Sequence, residues 1–302
     1  MKIIDIHTHL GDILYHRKNS LIWEKGVRKK PDWNDVYERN NWPEWSGFHS
    51  IFGKVTHRLG IRAGLKRNRT ATLENLQREL DEHQIERCAV LSVYPHVPAE
   101  QVLEAAAIEK RIITFTGPDY SSDAADHTAR FRDEVHAGVR GLKLHPILDK
   151  VALDSAETMA IVEAFAPHNR PVLFHSGYAW YFAKKEERVN EQPEYGEIAP
   201  AIPLVEAFPN VKFIAGHAGL AQVQEVIDTL AKYPNVYVDT SFQPPRVIQQ
   251  LVEAFGAERV LYGSDWPWGG MAVAKRCIEL ACKDPAVKEQ IFYNNSAALI
   301  DA

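Results

Sequence analysis

Short apolar runs alternate with amphipathic stretches along most of the chain, and that alternation sets the reading of everything else. Ile3-Ile4-Asp5-Ile6-His7-Thr8-His9 opens the series as strand 1. Later runs of the same kind are Cys88–Val93, Ile112–Thr116, Val139–His145, Pro171–His175, Val211–His217, Val236–Asp239 and Val260–Asp265. Between them, apolar residues recur at helical spacing. The helices predicted are Thr72–Leu80 with Thr70 or Thr72 as cap, Pro98–Lys110, Asp123–Ala137 stopped by Gly138, Ser155–Pro167, Ile202–Phe208, Ala221–Ala231 and Pro245–Phe255. Tyr178 to Glu197 reads as a polar loop.

Eight strands alternating with helices require parallel pairing through right-handed crossovers. The count of eight favours a closed (β/α)8 TIM barrel of the α/β class over an open doubly wound sheet. No glycine-rich phosphate fingerprint follows strand 1, which disfavours a dinucleotide fold. With no internal repeat and no low-complexity linker, residues 1–302 read as a single domain.

One stretch departs from the pattern. Residues 15–70 show weak periodicity of either kind and are read as one long insertion after strand 1. They carry 13 Lys/Arg against 5 Asp/Glu, a net of +8, although the chain as a whole has a formal net charge of −5. Trp23, Trp33, Trp42 and Trp45 fall there, four of the seven tryptophans. Leaving the barrel at the end of strand 1, the insertion could close over the site as a lid.

Composition excludes several classes. The negative overall charge argues against general nucleic-acid binding. No apolar run reaches the roughly 20 residues of a membrane span, so no membrane role is expected. The N-terminal residues do not read as a secretory signal. Cys88, Cys277 and Cys282 form no paired framework, which fits a reducing cytoplasm. The aromatic arm favours a homo-oligomer.

The chemistry lies at the strand ends. Side chains alternate along a strand, so His7 and His9 should share a face with Asp5 and Ile3. Two imidazoles there form a pair of nitrogen ligands for a divalent metal. Strand 5 ends in His175, strand 6 in His217 and strand 8 in Asp265. In barrels of this kind the active site forms at those ends. By the same parity, Lys143 and His145 should face the barrel interior while Leu142 and Leu144 face the helices. Asp265 should share its face with Gly263 and Leu261.

Asp5-Ile6-His7-Thr8-His9, Gly141-Leu142-Lys143-Leu144-His145-Pro146, Phe174-His175-Ser176-Gly177, Gly216-His217-Ala218-Gly219 and Tyr262-Gly263-Ser264-Asp265-Trp266-Pro267 occur in a familiar order. In these motifs the chain resembles the amidohydrolase superfamily. The nearer likeness is to its amidohydrolase-related branch, which includes aminocarboxymuconate-semialdehyde decarboxylase and related hydrolases, lactonases and hydratases. The resemblance runs over nearly the whole chain except residues 15–70. It implies a metal-dependent TIM barrel in which His7, His9, His175 and Asp265 hold one divalent ion, Zn²⁺ first and Mn²⁺ as alternative. His217 would be a catalytic or metal-adjacent histidine, and Asp265 would also take a proton.

Such an ion would bring a water's pKa down from 15.7 to about 7. Lys143 is open to two readings. In some branches the strand-4 lysine is carboxylated and bridges two metals, whereas here it could pair with an acid or bind a substrate carboxylate. His145, Trp266 and Trp268 are candidates to line the pocket. Arg58, Arg62, Arg67, Arg69 and Arg246 are candidates to bind a carboxylate. Asp5 is read as ordering a histidine, and Asp239 and Ser264 as structural.

The expected function is hydrolysis of an ester, lactone or amide bond in a small carboxylated substrate. The alternatives are a non-oxidative decarboxylase or hydratase on the same site, or an inactive barrel serving as a binding protein.

Overall fold

A computed structural model describes residues 1–15, 21–35, 38, 51–122 and 124–301. Eight parallel strands lie in sequence order: β1 (Ile4–Thr8), β2 (Arg87–Leu91), β3 (Ile112–Thr116), β4 (Gly141–Leu144), β5 (Val172–His175), β6 (Phe213–Gly216), β7 (Val236–Asp239) and β8 (Val260–Leu261). The sheet returns on itself through backbone bonds between β1 and the segment after β8. Ile6 N–H donates to the Tyr262 carbonyl at 3.0 Å, and Asp265 N–H to that of His7 at 2.8 Å. Helices surround the strands, as the (β/α)8 reading requires. Among the described residues, no helix is long and apolar enough to cross a membrane.

Local signals place the helices. Thr72 caps Leu73–His83 by accepting from the Asn75 N–H at 3.2 Å, and Ser155 caps Ala156–Phe165 through the Thr158 N–H. In Pro245–Phe255 the buried Val247, Ile248, Leu251 and Phe255 form one stripe at helical spacing. Fully burying each aliphatic side chain of this size is worth roughly 1.5–3 kcal/mol.

Two cores result. Between strands and helices lies the larger one, which includes Ile3, Val90, Leu142, Leu144, Phe174 and Tyr262. Inside the barrel Ile4, Ile6, Leu91, Ile113, Phe115, Leu173, Ile214 and Leu261 fill the base. Phe115 fits there because β4 begins with Gly141, where a Cβ would stand 2.3 Å from its ring.

The structure corrects three sequence expectations. β1 does not alternate strictly: Ile4 and Ile6 point inward and Ile3 outward, yet His7 also turns inward. A register irregularity between Asp5 and Thr8 absorbs the extra residue, so His7 and His9 do not share a face with Ile3. β8 is only Val260–Leu261, and Asp265 lies beyond it with φ +56°. His217 likewise follows β6 rather than ending it, with φ +61°.

The stretch 15–70 lies partly outside the described residues. Within it are a single turn at Leu21–Trp23 and the helix Ile51–Asn68. Trp42 and Trp45 are not among the described residues.

Candidate metal centre

The polar strand ends converge directly above the apolar base. His7 Nε2 lies 3.6 Å and His9 Nε2 3.5 Å from the same oxygen, Asp265 Oδ1. His217 Nδ1 is 3.8 Å from Asp265 Oδ2. Among the described residues, His7, His217 and Asp265 form the one group of three donors within 4.8 Å of one another. His175 sits farther round, its ring centroid 5.0 Å from that of His217 and 4.7 Å from that of His145. Lys143 faces inward as expected, with Nζ 3.5 Å from His7 Nε2.

Two of these residues hold unusual backbone conformations. His217 and Asp265 are both left-handed, a region in which Asp and His are commoner than most side chains. The turn at each lets a residue just past its strand aim back over the barrel axis. Sites of function often carry such conformations.

Hydrogen bonds fix how each imidazole presents itself. His7 Nδ1 donates to Asp239 Oδ2 at 2.8 Å, and His9 Nδ1 to the Leu91 carbonyl at 3.0 Å. Ser241 donates to Asp239 Oδ1, so its oxygen accepts from His217 Nδ1 at 2.7 Å. His7, His9 and His217 therefore all leave Nε2 as the lone-pair atom. Asp239 orients two of them, one directly and one through Ser241. Carboxylate partners of this kind fix the tautomer of metal-binding histidines.

Burial sets the charges. It pushes His7, His9, His145 and His217 well below the usual histidine range, and Lys143 adds to the effect on each. Burial and then Lys143 bring His175 down to about 3. All five rings are neutral and able to act as ligands near neutral pH. Burial also drives the Asp265 carboxyl well above the carboxylate range against the pull of Lys143. The same desolvation lowers Lys143 to about 8 and raises Asp5 to about 7.

The donor set fits a divalent ion. Asp265 Oδ1 is buried and accepts no hydrogen bond, which is costly for a carboxylate without a cation. Two ligand atoms each about 2.1 Å from one tetrahedral ion stand about 3.4 Å apart. The His7 and His9 separations from Asp265 Oδ1 are close to that value.

The remaining sequence candidates divide. His145 is buried beside His175, with Nε2 3.1 Å from the Tyr181 hydroxyl. Trp266 is buried in the outer core, whereas its neighbour Trp268 stands edge-on to His9 at 5.3 Å. Arg67 is buried, but the carboxylates it binds are the chain's own Asp32, Asp35 and Glu38. Arg62, Arg69 and Arg246 are exposed, and the Arg58 side chain lies outside the described residues.

Sequence reasoning missed Tyr181 and Ser241 and undervalued Asp239. Asp239 carried a readable signal, since it ends β7 as His175 ends β5. Tyr181 carried none, lying in the stretch read as a polar loop. Phe242 was also missed; it is partly exposed with φ +62°, its ring 5.5 Å from that of His217.

No curated protein sequence matches this chain. Solved structures share its fold at low identity. A probable 2-pyrone-4,6-dicarboxylic acid hydrolase from Acinetobacter baumannii has a TM-score of 0.62 at 14% identity, over 100% of both chains. A 2,6-dihydroxybenzoate decarboxylase from Rhizobium has a TM-score of 0.66 at 14% identity, over 100% of this chain and 99% of that one. A manganese-bound 5-carboxyvanillate decarboxylase from Novosphingobium aromaticivorans has a TM-score of 0.66 at 15% identity, over 100% of this chain and 96% of that one. A family model described as amidohydrolase matches residues 4–301, and by that match the chain belongs to the amidohydrolase family.

Proposed function

We propose that this enzyme is a metal-dependent hydrolase that cleaves an ester, lactone or amide bond in a small carboxylated molecule. The observation that carries the reading is the unpartnered Asp265 Oδ1 facing neutral imidazoles whose free nitrogens are already selected. His7, His9 and Asp265 would hold the ion, with His217 or His175 completing the set. The ion is Zn²⁺ in the first instance and Mn²⁺ in the second. When bound, it supplies Lewis-acid activation of a water or of a substrate oxygen.

The chain's own groups do the rest. Asp265 Oδ2 stands on the His217 side and can hold a proton leaving the attacking water. Ser241 and Asp239 keep His217 Nε2 unprotonated and ready to orient that water or to take its proton. Lys143 brings the buried positive charge that a substrate carboxylate would meet. Trp268 and Phe242 wall the chamber beside His9 and His217.

A second reading, non-oxidative decarboxylation, draws support from the fold neighbours, two of which are named as decarboxylases of aromatic carboxylates. One experiment separates the two. Protein prepared without chelators is assayed for metal, then offered carboxylated esters, lactones and aromatic acids in ¹⁸O-labelled water. Label in the product supports hydrolysis. Release of CO2 without label supports decarboxylation and removes the first reading.

A further inference from the structure

The loop after β5 delivers a hydroxyl into the histidine cluster. Tyr181 Oη lies 3.1 Å from His145 Nε2 and 3.4 Å from His175 Nδ1. Its backbone is pinned from behind, because Glu191 accepts from both the Tyr181 and Phe182 N–H groups. Glu191 is itself buried.

The outer partners of the two histidines dictate every proton along this path. Leu148 N–H donates to His145 Nδ1 at 3.3 Å, so His145 carries its hydrogen on Nε2 and gives it to the Tyr181 oxygen. His175 Nε2 lies 2.9 Å from the Gly177 carbonyl, which can only accept. His175 Nδ1 is therefore the lone-pair atom, and the Tyr181 O–H points at it. The chain of donors runs in one direction, from Leu148 through His145 and Tyr181 to His175. Donation by His145 polarises the hydroxyl and makes it a stronger donor.

A cation that uses His175 needs that same lone pair, since Nε2 is committed to Gly177. We propose that Tyr181 is the residue that donates a hydrogen bond to a substrate carboxylate oxygen, released for that task when the cation takes His175 Nδ1. With His145 already donating to the oxygen, the displaced O–H is free to turn to a new acceptor. Tyr181 is half-buried, and Lys143 Nζ belongs to the same histidine cluster, 3.5 Å from His7 Nε2. The inference rests on the metal-dependent reading above.

The test uses the full chain stripped of metal, with Zn²⁺ and benzoate as probes. Tyr181→Phe keeps the ring and removes the hydroxyl. The variant should bind Zn²⁺ about two- to tenfold more tightly in competition with a chromophoric chelator, because nothing contests His175 Nδ1. It should bind benzoate about tenfold or more weakly, and only in the Zn²⁺-loaded protein. Nitrogen-15 shifts of the metal-free wild type should place hydrogen on Nε2 of both His145 and His175. Weaker Zn²⁺ binding by Tyr181→Phe, or hydrogen on His175 Nδ1, overturns the proposal and leaves Tyr181 a prop for the rings. A wild type that takes up no Zn²⁺ instead fails the metal-dependent reading itself, and this proposal with it.

Discussion

Asp239 Oδ2 stands 2.8 Å from His7 Nδ1, joining the end of β7 to the end of β1 across 232 residues of sequence. Both side chains are fully buried. Its other oxygen holds Ser241, which in turn holds His217, so one carboxylate orients imidazoles from two strands.

Asp239→Asn should keep the fold and weaken metal binding. The amide can still accept from His7, but the charge that favours the ligating tautomer is lost. Removing outer partners of metal ligands costs about 10- to 100-fold in affinity. Chelator competition measures it, and unchanged affinity would sink the orienting role.

Asp265→Asn should have opposite effects with and without the ion. In metal-free protein the substitution relieves a buried carboxyl with an unpartnered oxygen, raising stability by about 1–3 kcal/mol. With metal at 100-fold excess over Kd, wild type should gain about 2.7 kcal/mol and the variant nearly nothing. Urea titrations with and without Zn²⁺ report both numbers. Equal gains in the two proteins would contradict a ligand role for Asp265.

In metal-free protein each buried histidine of the cluster should take stability away on acidification below pH 6.5. Burial depresses His7, His9, His145, His175 and His217 in the folded chain, so only the unfolded chain takes up those protons. Their contribution is complete above the unfolded value of 6.5 and falls away towards the folded values, about 3 for His175. Each such histidine costs up to about 1.4 kcal/mol per pH unit across that window. The raised Asp5 and Asp265 carboxyls act in the opposite sense over the same window, because there the folded chain takes up the proton. The histidine share is therefore read by difference: between pH 7.5 and 5.5 the urea midpoint of wild type should fall further than that of His145→Asn, and equal shifts would mean that His145 is solvated.

Arg67→Met should destabilise the fold by about 3–5 kcal/mol, the usual result of removing one partner from a buried ion cluster. Arg67 is 1% exposed, and the charges of Asp32, Asp35 and Glu38 converge on it. It also donates to the Trp268 carbonyl, and a Cβ at Gly64 would come within 3.3 Å of the Trp268 ring. Loss of the clamp should therefore also raise KM more than it lowers kcat. Thermal denaturation and steady-state kinetics test the two parts, and a stable variant with unchanged KM would separate the arm from the site.

Sequence alone determined the elements, because the signals for them are local. Period-2 and period-3.6 patterns, the Thr72 cap and the count of eight strands specify a barrel without any long-range knowledge. They also read His7, His9, His175, His217 and Asp265 at strand ends, where a barrel keeps its chemistry, although His217 and Asp265 in fact lie past their strands. Only the tertiary structure decided what those residues meet. The register slip in β1, the left-handed turns at His217 and Asp265, and the Asp239 and Tyr181 bonds all depend on packing between distant segments. The same holds for Arg67, which a sequence presents as a free cation and the fold surrounds with acids. A residue's type and spacing are written in its neighbours along the chain, but its charge state and partner are set by what burial brings beside it.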